Sequence, residues 1–133
     1  DMGKPIENQN WESMLNINFY TMLNSTSCVL ENMKQNNFGK IINFGSIAGI
    51  DGMAMAAPYS SSKAAIHNLS KTINLETPNS ITSHVFALSI VDTLANREAM
   101  PDANFSSWIG TQQISEKIID IINNEELKDL ISF

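Results

Sequence analysis

Lys40-Ile-Ile-Asn-Phe44 is followed by Gly45-Ser-Ile-Ala-Gly-Ile-Asp-Gly-Met-Ala-Met-Ala-Ala57, and that by Pro58-Tyr-Ser-Ser-Ser-Lys-Ala-Ala-Ile66. The first piece is a short apolar run with β-branched residues, the pattern of a buried strand. The second holds three glycines and no periodicity, so it reads as a loop. Pro58 suits the first turn of a helix, which the spacing carries to about Glu76, where Thr77-Pro78 closes it. Ile81 to Ser89 reads as a second strand. Strand, helix and strand in succession imply parallel pairing through a crossover, and hence an α/β fold.

Outward from this unit, Trp11, Met14, Leu15, Phe19, Met22, Leu23, Val29, Leu30 and Met33 recur at helical spacing. They predict one long amphipathic helix from Asn10 to about Asn36, capped by Asn8 or Asn10 and ended by Asn36-Asn37-Phe38-Gly39. Asn18 interrupts its apolar stripe, and a polar residue there needs a partner. Ile90 to Gly110 reads as a long irregular segment, longer than ordinary connections and therefore functional. Thr111 caps a further helix carrying Ile114, Ile118, Ile121 and Ile122. Leu127 to Phe133 reads as the stub of a third strand.

Tyr59 and Lys63 stand one helical turn apart, so the phenol and the ammonium leave the same face. A phenol titrates near pH 10, and bringing it three units lower costs about 4 kcal/mol. One cation at about 4 Å, at an effective dielectric of about 20, supplies about that much. The pair is a sufficient device for exchanging protons near neutral pH.

Gly39-Lys-Ile-Ile-Asn-Phe-Gly-Ser46 followed by Tyr59-Ser-Ser-Ser-Lys63 resembles the catalytic stretch of the short-chain dehydrogenase/reductases, and Trp11-x6-Asn18 resembles that family's Trp-x6-Asn. The resemblance runs from about residue 5 to about residue 93. It implies a catalytic tetrad of Asn18, Ser46, Tyr59 and Lys63, with NADH or NADPH as cofactor. Tyr59 would donate the proton, Lys63 would bond the nicotinamide ribose and Ser46 would orient the substrate. Asn18 would hold a water that relays protons. Thr93 matches the threonine that contacts the nicotinamide, although Leu88 and Ser89 replace the Pro-Gly that precedes it in the family.

A second resemblance covers Asp92-Thr-Leu-Ala-Asn-Arg97-Glu-Ala-Met-Pro101-Asp-Ala-Asn-Phe105-Ser-Ser-Trp108. It is similar to the Asp-Thr-x-x-Asn-Arg-x-x-Met-Pro-x-Ala-x-Phe-Ser-Ser-Trp of the dihydropteridine reductases within the family. That resemblance implies reduction of a quinonoid dihydropteridine to the tetrahydropteridine, with the pterin stacking on Trp108 or Phe105. Alternatives are a general carbonyl or alcohol dehydrogenase/reductase of the family, or a truncated, non-catalytic remnant that associates with full-length relatives. The fold class implied is a partial Rossmann-type, doubly wound parallel sheet. Residues 1–133 would form the C-terminal part of one NAD(P)-binding domain, dimeric through helices 10–36 and 58–76.

The bulk properties agree with a small-molecule substrate. A net charge of −6 argues against nucleic acid or an anionic membrane as partner. Cys28 is the only cysteine, so no internal disulfide forms and a reducing, cytoplasmic compartment fits. No apolar run approaches membrane-spanning length. Gly45-x-x-x-Gly49-x-x-Gly52 imitates a phosphate loop, but it does not open a helix directly. His67 and His84 lack acidic or cysteine partners at ligand spacing, so no metal is expected.

Overall fold

The computed structural model describes residues 3–123 and 130–132. Three parallel strands form the main sheet in the order β1 (Gly39–Phe44), β2 (Ile81–Ala87), β5 (Leu130–Ser132). β1 and β2 pair from Gly39↔Ile81 to Phe44↔Phe86, and β2 meets β5 from Val85↔Leu130 to Ala87↔Ser132. Helix α4 (Ala57–Glu76) crosses from β1 to β2, and α6 (Thr111–Asn123) comes just before β5 in the chain. β2 is buried almost throughout, as a central strand covered on both faces must be.

The two faces are held differently. Phe86 packs into an apolar cluster with Leu88, Ile109, Ile114, Ile121 and Ile131. The α4 face adds a polar seam to the buried side chains of Ile66, Ile73 and Val85. Ser70 and Ser83 share a hydroxyl hydrogen bond of 2.7 Å. Asn74 donates to the Ser83 carbonyl at 2.7 Å and accepts from the Ser83 amide at 2.6 Å. The described pairing with β5 begins at Val85, and Asn74 satisfies backbone groups that no described strand reaches there.

The N-terminal helix departs from its expected form. α1 (Trp11–Leu15) and α2 (Thr21–Asn36) are joined by a π-helical turn, Asn16–Tyr20. The wider turn disturbs the carbonyl ladder, and side chains repair it. Asn18 Nδ2 donates to the Met14 carbonyl at 3.1 Å, and Thr21 Oγ1 donates to that of Ile17 at 2.6 Å. Asn10 caps the start by accepting from the Ser13 amide. Asn37 ends α2 in the left-handed region at φ 49°, as the Asn-Asn-Phe-Gly sequence suggests.

Three further expectations change. The glycine-rich stretch contains one helical turn, α3 (Ala48–Asp51). The second strand stops at Ala87 rather than Ser89. The segment from Ile90 to Gly110 is ordered: β3 (Val91–Asp92) pairs with β4 (Ile109–Gly110) and encloses α5 (Leu94–Ala99) and a 3-10 turn, Phe105–Ser107. The third strand is present at Leu130–Ser132, while residues 127–129 and 133 of that expectation lie outside the described residues.

The edge of β1 remote from β2 pairs with no strand among the described residues. Beside it the exposed side chains of Ile17 and Val29 border an open groove. An unpaired strand edge recruits other chains. We expect the purified 133-residue chain to self-associate or aggregate. Sedimentation and thermal melting test this: a monodisperse monomer with a sharp cooperative melt above about 50 °C contradicts it.

Candidate active site

Ser46, Tyr59, Lys63, Thr93 and Trp108 follow the carboxyl ends of parallel strands, where open α/β sheets bind ligands, and Asn18 comes from the helix before β1. Lys63 comes from α4 and donates from Nζ to the carbonyl oxygen of Phe44, the last residue of β1, at 2.9 Å. Its ammonium lies 5.7 Å from the centroid of the Tyr59 ring, so the one-turn spacing does bring the pair together. Lys63 is half-buried, and this desolvation holds its pKa below the ordinary lysine range. An ammonium has three donors, and the Phe44 bond uses one.

Ser46 is buried in the turn between β1 and α3. Its Oγ accepts from the Ala48 amide at 3.1 Å, which fixes the rotamer, and its amide donates to His67 Nε2 at 3.3 Å. Asn18 reaches the same region from the π turn. Asn18, Phe44 and Lys63 line one groove of about 500 Å³, with Ile17, Thr21 and Met22 on its helical wall. Ser46, Tyr59, Thr93 and Trp108 are not among the lining residues of that groove.

Thr93 and Trp108 belong to the excursion between β3 and β4. The Thr93 oxygen caps α5, accepting from the Asn96 amide at 3.2 Å. Asn96 Nδ2 in turn donates to the Val91 carbonyl. Arg97 forks onto Asp92 through Nε at 2.6 Å and Nη2 at 2.7 Å. The guanidinium also lies 4.7 Å from the Phe105 centroid, and Phe105 meets Trp108 at 4.7 Å in a tilted pair. Arg97 holds the Asp92 carboxyl below its ordinary range, chiefly through these hydrogen bonds. The Asp92–Trp108 motif is therefore a connected structural unit, with one aromatic face of Phe105 occupied by Arg97.

Two of the three spaced glycines have packing reasons. A Cβ on Gly45 would collide with His67 Nε2 and stand 2.5 Å from Val85 Cγ1. On Gly49 it would lie 2.7 Å from the Lys63 carbonyl carbon and 2.8 Å from the Ala64 nitrogen. These glycines let the α3 turn lie against α4. His67 joins Ser46 here, a contact that reading it as a lone histidine does not anticipate. The sequence carries a signal for it: Tyr59, Lys63 and His67 recur every four residues on one helical face. Among the described residues no group of three His, Cys, Asp or Glu could hold a metal ion. Nor is any described helix long and apolar enough to cross a membrane.

A parallel sheet with helices on both faces, and polar side chains gathered at its strand ends, defines a Rossmann-type α/β domain. The chain belongs to the short chain dehydrogenase family, whose model matches residues 2–104. It is 34% identical over 73 residues to an acetoacetyl-CoA reductase of Allochromatium vinosum, covering 55% of this chain and 30% of the relative. It is 32% identical over 89 residues to a 3-oxoacyl-acyl-carrier-protein reductase of Buchnera aphidicola, covering 66% of this chain and 36% of the relative. It is 26% identical over 118 residues to a dihydropteridine reductase of Dictyostelium discoideum, covering 86% of this chain and 50% of the relative. The chain thus spans half or less of the length of each.

Gly49→Ala is expected to cost about 1–3 kcal/mol, because backbone atoms of α4 cannot move aside cheaply. Gly110→Ala, whose Cβ would meet only Gln113 Oε1 at 3.4 Å, should be close to neutral. Denaturant unfolding of both variants checks the difference. Arg97→Ala should release Phe105 and Trp108, read as faster proteolytic cleavage within residues 94–107.

Proposed function

We propose that these residues form the C-terminal part of an NAD(P)H-dependent reductase whose substrate is a quinonoid dihydropteridine. The observation that carries the reading is the half-buried ammonium of Lys63, fixed to the end of β1 and facing the Tyr59 ring. The remaining Lys63 donors suit ribose hydroxyls, and the Thr93 hydroxyl can still donate while its oxygen caps α5. These groups fit the nicotinamide riboside end of the cofactor. The glycines do not fit its diphosphate, since Gly45 and Gly49 are packed against α4.

The reduced nicotinamide supplies a hydride when bound. Tyr59 gives a proton to the substrate, with the Lys63 ammonium beside its ring. Ser46, held by Ala48, orients the substrate atom that receives the proton. Asn18 spends its amide on Met14, and its carbonyl oxygen is the atom suited to hold a water in the groove shared with Lys63.

The pterin assignment is supported by the ordered Asp92–Trp108 unit and by the likeness to the Dictyostelium enzyme over most of the chain. Trp108 is the candidate stacking surface. The second reading, a general carbonyl or alcohol reductase, is favoured by Ser46 and by the two relatives named as reductases of acetoacetyl and oxoacyl groups. A non-catalytic remnant that associates with full-length relatives is a third. Exposed Ile17, Tyr20 and Val29 support a dimer through helices 10–36 and 58–76.

In a chain of the relatives' full length, Tyr59→Phe should abolish turnover while cofactor binding stays near normal; retention of more than about a tenth of the activity removes Tyr59 as proton donor. Lys63→Ala should lose turnover and some cofactor affinity together. A higher kcat/KM for quinonoid dihydropterin than for simple ketones supports the pterin reading, and the reverse order selects the second. The 133-residue chain alone should bind NADH weakly or not at all, and a micromolar or tighter Kd by titration calorimetry contradicts that.

A further inference from the structure

Ser46 lies between two amides that the sheet satisfies. Gly45 donates to the Phe86 carbonyl at 2.8 Å and Ile47 to the Leu88 carbonyl at 3.1 Å. Successive groups of an extended chain point in opposite directions, so the Ser46 amide faces away from β2. What it meets is the ring of His67, with Nε2 3.3 Å away. That ring is buried and enters the space a Gly45 side chain would fill. We propose that His67 is the positioning residue for Ser46: unprotonated Nε2 stands in for a strand carbonyl, and protonation of the ring releases the Ser46 turn. The proposal rests on the assignment of Ser46 to substrate binding given above.

The chemistry of the contact is one-directional. An amide can donate only to an unprotonated ring nitrogen, so the proton of the neutral ring must sit on Nδ1. In His67⁺ both nitrogens are donors, and Nε2–H would oppose the Ser46 N–H. The turn would have to swing, and with it the Ser46 Oγ that is tied to the Ala48 amide. The surroundings favour the neutral ring. Burial, then Lys71 and Lys63 one turn away on either side, hold the His67 pKa below its ordinary value. β2 presents Val85, and the turn presents Gly45 and Ser46, none of which titrates. With a folded pKa below the unfolded one, the contribution is complete above about pH 6.5 and is lost as the pH falls from there through the folded value.

Two substitutions separate positioning from packing. His67→Gln keeps an acceptor at similar reach but cannot titrate; His67→Phe keeps a ring and removes the acceptor. On the folded protein labelled with ¹⁵N at histidine and serine, Nε2 of His67 should be unprotonated at pH 7.5. The Ser46 amide resonance should follow the His67 ring with a midpoint below about 6.5. In His67→Gln that resonance should be independent of pH between 5 and 8. In the active protein, His67→Phe should lower kcat about ten- to a hundredfold with little change in cofactor KM. His67→Gln should restore most of it and remove the acid limb that His67 imposes. A protonated Nε2 at pH 7.5, or a Ser46 amide indifferent to the ring's titration, overturns the proposal. A Ser46 amide that follows the ring, together with full activity in Ser46→Ala, leaves the contact standing and removes instead the substrate role of Ser46.

Discussion

The bond from Lys63 Nζ to the Phe44 carbonyl sets where α4 sits along the sheet, and the site is arranged around it. A hydrogen bond from a charged donor contributes about 1.5–3 kcal/mol net. Burying the ammonium works against it, which is why the Lys63 pKa falls. The two effects oppose one another, and what the contact fixes is position. Position is what the neighbours demand. With Lys63 fixed, Tyr59 is one turn before it and His67 one turn after, and Gly49 must lie against the Lys63 backbone.

This position also depends on how each face of the sheet is filled. On the α6 face, Phe86, Ile114, Ile121 and Ile131 make dispersion contacts that tolerate small displacements. On the α4 face, Ser70, Asn74 and His67 make directional bonds to Ser83 and Ser46. A slide of a fraction of a turn would break all of them together. The polar seam gives α4 a single register on the strands and carries that register to the strand ends.

Much of this is legible in the residues. The ends of α2 and α4 follow from Asn37, Pro58 and Thr77, whose backbone preferences are local. The strands β1 and β2 follow from apolar runs bounded by breakers. The approach of Lys63 to Tyr59 follows from helical spacing alone. Other features are set by tertiary contact and leave weaker marks. A five-residue π turn shifts the periodicity by one position, which an apolar stripe with Asn18 in it does not resolve. Strands as short as Val91–Asp92 and Ile109–Gly110 have no period to detect. The glycines at 45 and 49 announce a loop, but the cause is an approaching helix more than ten residues further along the chain.

The π turn at Asn16–Tyr20 has a bearing on how this helix tolerates length changes. It accommodates one residue more than an α-helical turn would need. Deleting one residue there would leave a continuous helix, with the Met14 and Ile17 carbonyls returned to ordinary partners. Because the wide turn absorbs that residue, Trp11–Leu15 would keep nearly the same face towards α4. The turn takes up a change of one residue in length without turning either stretch of the helix away from the neighbour it packs on.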